Sequence, residues 1–368
     1  MNIAFVLLTH NPDEPAGIER SIDTLAAGLR ESGHRALIVA AGPAAAAEGP
    51  ELLRLMTLAL PRPAVEEDLL ALLADPAPVE AELSRLLSDY AVDLVCWVDA
   101  VWGLGFLAPA PPGVRTALMV RVLRTDELML ASLAHGPDVI LTNSDFMIRD
   151  AARRGLDPTT WRVLPNAVHH TTAAPDPAER EVLRRHGPVR IVARAEPHKG
   201  TAELLRALPP DLGRPLQIVL AAAGFEYWPG MQEQVIDECR QLAAHLPDVE
   251  ILPALPWQAV PPFLAGAAAV LVGSTSPETF GNVPAEALSV ATPVVGYGLG
   301  HLPALTGPAG RMVDLDQGPD LLWRTLTELL EDREAYHAAS QAGPLQVAGH
   351  HPRSVAETFL ALATGAHQ

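Results

Sequence analysis

Short apolar runs alternate with longer amphipathic stretches along this chain, and the alternation stops once and then starts again. "NIAFVLLTH", "RALIVAA", "DLVCWV", "TALMVRV" and "DVILTNS" read as strands buried on both faces, and "IERSIDTLAAGLRESG" follows the first with apolar residues at helical spacing. Apolar runs separated by helix-length segments specify parallel sheets wrapped by helices. Ser144 and Asp145 make a helix start, and Gly155 its stop. Between Val168 and Glu181 the stretch "VHHTTAAPDPAERE" loses the period and gains Pro and Thr, as a linker does. The pattern then resumes through "PVRIVAR", "LQIVLAAAG", "VEILP", "AAVLVGS" and "TPVVGYG". The expectation is an α/β chain of two doubly wound domains, residues 1–170 and 171–350, facing across a cleft at the carboxyl ends of their sheets. A last helix-like piece, about 351–368, is expected to pack back on the first domain. The acidic, Ala/Leu-rich "PAVEEDLLALLADPAPVEAELSRLL" reads as amphipathic helix.

Charge narrows the partners. The net charge is −18, and residues 1–170 alone carry 13 Arg against 22 Asp plus Glu. Nucleic acid and anionic lipid both demand a basic footprint, so neither is expected, nor is stable membrane association. The acidity of the first half serves either solubility or the reception of a neutral or cationic partner. No apolar run is long enough for a membrane span, and no cationic leader precedes the first strand. Cys96 and Cys239 are far apart and lack metal-ligand spacing, which suits a reducing cytoplasm.

The richest stretch is "STSPETFGNVPAEALSVATPVV", residues 274–295. Glu278 and Glu286 stand eight positions apart, about 12 Å if the path were helical. Pro284 suits the first position of a helix, which would leave amides near Gly281, Asn282 and Val283 at a helix N-terminus, a ready anion site, with Glu286 in the first turn. A plain strand–loop–helix crossover, with its glutamates at the helix dipole and the surface, fits the same residues. The chain's one lysine, Lys199, lies in "RIVARAEPHKG".

"PETFGNVPAEALSVATPVV" resembles the E-x7-E signature of retaining glycosyltransferases of family 4 with the GT-B fold. Three further stretches agree in order: "EPAGIERSIDTLAAGLRESGHRALIV", "VILTNSDFMIRDAARRGLDPTTWRVLPNAV" and "RIVARAEPHKGTAELLRAL". The resemblance implies a first domain that binds the acceptor and a second that binds a nucleotide-diphosphate sugar as co-substrate, with UDP the favoured nucleotide. It needs no further cofactor and no metal, and no Asp-x-Asp element stands where it could hold Mg²⁺. Arg194 and Lys199 match the cations on the donor diphosphate, and Glu278 the carboxylate on the transferred sugar. Together these three are the implied catalytic set. Glu286 matches the ribose ligand, Gly17 the glycine of the N-terminal loop, and Leu255 a position that meets the base through its backbone. Phe280, Gly281, Asn282 and Val283 complete the implied donor site, and Asp99 and Trp102 are acceptor-side candidates.

The chain also departs from the family. Ala16 replaces a first loop glycine, and Cys96 and Val98 stand where histidines are common. Arg121 occupies the place of a histidine that commonly meets the donor sugar. Either Arg121 points to solvent or pairs with Asp99, or it addresses the donor or acceptor through forked hydrogen bonds. His198 either touches phosphate or is an exposed loop residue. The pairs His169–His170 and His350–His351 read as surface residues, and His301 spoils a dinucleotide reading of "GYGLGHLP". The expected activity is sugar transfer, with retention, to a hydroxyl of a soluble small molecule such as an aminocyclitol, amino sugar or other secondary metabolite. A nucleotide-sugar epimerase or coupling enzyme on the same fold, or a non-catalytic sugar-nucleotide-binding protein, are the alternatives.

Overall fold

The structure, a computed structural model, describes the chain apart from residues 12–15, 42–48, 50, 169–171 and 366–368. The described residues divide into two compact units, one within 1–11, 16–167 and 352–365, the other within 168–351.

The first unit begins with β1 (Asn2–Leu7), α1 (Gly17–Glu31), β2 (Arg35–Ala40), β3 (Leu52–Arg54), α2 (Glu66–Leu72) and α3 (Ala77–Asp89). It continues with β4 (Leu94–Val98), β5 (Arg115–Val120), α4 (Glu127–Ala134), β6 (Val139–Thr142), α5 (Asp145–Arg153) and β7 (Arg162–Val163). The strands form one parallel sheet in the order β3-β2-β1-β4-β5-β6-β7. β1 lies inside it between β2 and β4, so nearly every side chain of "NIAFVL" is buried, which explains an apolar run without alternation. The helix start read at Ser144 is real: its hydroxyl accepts from the Met147 amide.

The final helix (Pro352–Thr364) belongs to this unit and lies on α1. Gly28 makes the approach possible, since a Cβ there would come within 2.3 Å of the Pro352 carbonyl oxygen. Phe359 is fully buried with its ring centroid 5.5 Å from that of Phe5. Burial of such a side chain contributes about 1.5–3 kcal/mol, which anchors the last helix to β1.

The second unit runs α6 (Pro177–His186), β8 (Val189–Arg194), α7 (Thr201–Arg206), β9 (Leu216–Ala221), α8 (Met231–Ala243), β10 (Val249–Leu252) and α9 (Val260–Ala265). It ends with β11 (Ala269–Val272), α10 (Asn282–Ser289), β12 (Val294–Tyr297), α11 (Leu302–Thr306), β13 (Gly310–Val313), α12 (Gly318–Glu331) and α13 (Arg333–Gln346), after which the final helix is α14. Its sheet is again parallel, in the order β10-β9-β8-β11-β12-β13. In an open sheet of this kind, β8 and β11 are the strands at which the order reverses, and their carboxyl-end loops are where ligands bind.

Several expectations are corrected. β3, β7 and β13 do not stand out in the sequence: β3 and β7 are only three and two residues long, and β13, "GRMV", opens on Gly and Arg rather than on an apolar run. The acidic Ala/Leu-rich segment is two helices, α2 and α3, parted at Asp75-Pro76, where proline cannot donate the next helical bond. The linker stops earlier than Glu181. Asp176 caps α6 by accepting from the Ala178 and Glu179 amides at 2.8 Å, and the Asp176 amide donates in turn to the Glu179 carboxylate at 2.9 Å. That reciprocal cap outweighs the proline-rich look of "APDPAERE".

Candidate active site

The site is assembled in the second unit from two loops. One leaves β8, carries Arg194, Glu196 and His198, makes a single 3-10 turn over Pro197–Lys199, and enters α7 through Gly200. The other leaves β11 at Gly273 and ends at α10. They lie against each other: a Cβ on Gly200, which has φ +68°, would stand 2.1 Å from the Gly273 carbonyl oxygen. Two constraints therefore demand glycine at position 200, its left-handed backbone and the absence of room. The Thr275 amide donates to the His198 carbonyl at 2.8 Å and sews the loops together.

This contact delivers the chain's single lysine to the first glutamate. Lys199 Nζ is 2.6 Å from Glu278 Oε1, and the Ser274 hydroxyl donates to the same oxygen at 2.6 Å. Burial raises the Glu278 pKa, but the Lys199 charge and the hydrogen bonds from Lys199 and Ser274 outweigh it, so the carboxyl is held below its ordinary range. The Glu278 main chain is fixed as well. Its carbonyl accepts from the His301 amide at 2.8 Å, and Gly300, at φ +66°, approaches so closely that a Cβ would be 2.3 Å from it. His301 thus braces the glutamate loop rather than ending a dinucleotide loop.

Arg194 and His198 share a second carboxylate. Arg194 Nη1 is 3.0 Å from Glu196 Oε1, and His198 Nε2 is 3.2 Å from Glu196 Oε2. Glu196 is 4% exposed and Arg194 41% exposed. Nothing in the sequence signals Glu196, and its burial is visible only in the fold. His198 is half-buried rather than an exposed loop residue, with its ring centroid 5.9 Å from that of Tyr227. Burial, with Lys199 and Arg194 adding repulsion against Glu196 and Glu278, holds the His198 pKa below its usual value.

At α10 the geometry differs from the expectation. The helix starts at Asn282 after Gly281, which takes φ +97°, so Pro284 is its third residue and Glu286 its fifth, in the second turn. The left-handed Gly281, and not Pro284, marks the start of the helix. The α10 N-terminus follows directly on the loop that carries Glu278. Phe280 and Glu286 are buried, 2% and 3% exposed. The Phe280 ring lies in the apolar core, stacked on His301 at 5.9 Å and tilted against His350 at 5.3 Å. His350 is therefore a packing residue, not a plain surface one, whereas His169 and His170 lie outside the described residues. Leu255 is half-buried against the core around Val260 and Leu264.

The remaining candidates lie in the first unit. Gly17 is the first residue of α1, after Ala16 in extended conformation. Asp99 is fully buried, and its carboxylate accepts from the amides of Val101 (3.1 Å), Trp102 (3.4 Å), Arg121 (3.0 Å) and Val122 (2.7 Å). It therefore ties together the loops that leave β4 and β5. Burial raises its pKa against the pull of these bonds. Arg121 does not point to solvent. It is buried, its guanidinium donates to Asn166 Oδ1 and lies 3.1 Å from Met119 Sδ, and burial lowers its pKa to about 10. Its link to Asp99 runs through the backbone amide. Trp102 is half-buried, and its carbonyl accepts from the Leu8 amide at 2.8 Å.

Two family models match, Glycosyltransferase Family 4 over residues 15–172 and Glycosyl transferases group 1 over residues 189–332. No curated protein matches the chain in sequence. Among solved structures it is similar to sucrose-phosphate synthase from Thermosynechococcus elongatus, with a TM-score of 0.80 at 16% identity, covering 100% of this chain and 99% of that one. Anabaena HepE in complex with UDP-glucose gives a TM-score of 0.75 at 17% identity over 99% and 100% of the two chains. AviGT4, a glycosyltransferase involved in avilamycin A biosynthesis, gives 0.63 at 22% identity over 99% and 98%. With two parallel sheets wrapped by helices and a matching model in each half, the chain belongs to the GT-B glycosyltransferases, family 4 in its first half and group 1 in its second.

Proposed function

We propose that the protein transfers a sugar, with retention and without a metal, from a UDP-sugar to a hydroxyl of a soluble small molecule. The observation that carries this reading is the meeting of Lys199 and Glu278 at 2.6 Å beside the start of α10. One small region then holds cations for a diphosphate, helix amides for its oxygens and a carboxylate for sugar hydroxyls. The solved complex of HepE with UDP-glucose supports the nucleotide, and the part of AviGT4 in avilamycin A biosynthesis supports a secondary-metabolite acceptor, for which we propose an aminocyclitol or amino sugar.

In this mechanism the bond between the anomeric carbon and the diphosphate oxygen breaks as charge builds on the leaving group. Lys199, Arg194 and the amides of Asn282 and Val283 meet that charge, as preorganised donors do at a developing anion. Lys199 and Arg194 supply the positive charge that a metal ion supplies in other enzymes. Glu278, turned toward the transferred sugar, orients its hydroxyls, and Glu286 engages the ribose. The acceptor hydroxyl bonds to the anomeric carbon on the face the diphosphate leaves, and its proton passes to the leaving phosphate oxygen. The first unit is assigned the acceptor, with Asp99 and Trp102 as its candidates, while Gly17 and Arg121 are kept as donor-binding candidates.

Incubation with UDP-glucose and a panel of aminocyclitols, neutral sugars and lipids, with and without chelator, tests the reading. Retention predicts that an α-linked donor gives an α-linked product by NMR. Conversion of the donor without acceptor would instead mark an epimerase, and a thermal shift without turnover a binding protein.

A further inference from the structure

Glu196 and His198 stand inside the site with no part in the reaction as described. Glu196 is a buried carboxylate with Arg194 Nη1 3.0 Å from one oxygen and the His198 ring nitrogen 3.2 Å from the other. The partners are unequally held. Arg194 is 41% exposed and can turn toward a ligand. His198 is fastened through its main chain, whose carbonyl accepts from the Thr275 amide at 2.8 Å and hydroxyl at 3.3 Å.

A donor diphosphate that draws Arg194 away leaves Glu196 buried and facing only His198. An ionised carboxylate out of water without a cation is costly, and a proton on the imidazole restores the balance. We propose that His198 is a third diphosphate-side cation, neutral in the empty protein and protonated when the donor binds, with Glu196 as its stationary counter-charge. The inference rests on the donor site proposed above.

The surrounding charges favour the same direction. Arg194 and Lys199 repel a proton on His198, Glu196 and Glu278 attract it, and the Tyr227 ring covers one side. The diphosphate cancels the two cations and leaves the attraction of Glu196, so the imidazole becomes more basic. One proton is taken from solvent, and none from the transfer reaction. Binding therefore takes up a proton between the empty and bound values, around neutral pH for histidine, and weakens as pH rises through the bound value.

Calorimetric titration of the whole protein with UDP-glucose, in buffers of different ionisation enthalpy near pH 7, measures this directly, because the sugar nucleotide has no group titrating there. The expected result is uptake of a large fraction of one proton per donor bound. His198→Gln loses that uptake and binds roughly tenfold more weakly, about one charge-assisted hydrogen bond. His198→Arg restores binding and flattens its dependence on pH. Equal binding enthalpy in every buffer for the unmodified protein, or uptake that persists in His198→Gln, overturns the proposal. Failure of UDP-glucose to bind at any pH overturns the donor assignment itself.

Discussion

Lys199 Nζ and Glu278 Oε1 lie 2.6 Å apart although 79 residues separate them. The pair is also where the sequence departs from its own habit, since every other cationic side chain of the arginine and lysine type is arginine. A compact ammonium on a flexible stem can bond to Glu278 and turn toward phosphate in the same pocket. A planar guanidinium needs more room and a fixed approach.

Lys199→Arg therefore keeps the charge and loses activity. The expected fall in kcat is about 10²-fold, the scale for one misplaced donor at a developing oxyanion, with the melting temperature little changed. Steady-state kinetics beside a thermal melt decides it, and near-normal turnover would show that any cation suffices.

The Glu278 carboxyl is held below its ordinary value of 4.5, because Lys199 and the hydrogen bonds outweigh the effect of burial. A carboxyl depressed by folding stabilises the protein above its unfolded pKa, and that stability is lost as pH falls through the folded value. The stability gap between the natural protein and Glu278→Gln should thus be constant from about pH 8 to about pH 5 and close below that. Urea unfolding across pH measures the gap, and one that widened on acidification would refute the sign.

Arg180 is buried on α6, and its guanidinium donates to the carbonyls of Ala265, Ala267 and Val290. Burial lowers its pKa. Arg180→Met leaves three buried acceptors without these donors and should cost about 3 kcal/mol or more. Denaturant unfolding reads the loss, while UDP-glucose affinity of the folded variant stays unchanged.

Gly28→Ala places a methyl 2.3 Å from the Pro352 carbonyl oxygen. α14 must move away from α1, at an expected cost of about 1–3 kcal/mol. Faster hydrogen exchange over residues 352–364 than in the natural protein, with β8 and β11 unaffected, is the signature to seek.

Much of the architecture is legible in the chain, because a strand buried on both faces needs an unbroken apolar run and a helix a 3.6-residue stripe. The parallel strands of both sheets, apart from the short β3, β7 and β13, could be read that way. Lys199, Arg194 and Glu278 announce themselves through local motifs. The tertiary structure alone decides what lies beside what. Glu196 becomes a buried partner of Arg194 and His198 only when its loop is pressed against the Gly273 loop. The Arg121 guanidinium turns inward to Asn166, 45 positions on in the chain, and the Phe280 ring lies in the core against His301 and His350 from other segments. Period and local motif are properties of neighbours in sequence, whereas burial and ion pairing depend on segments that only the fold brings together.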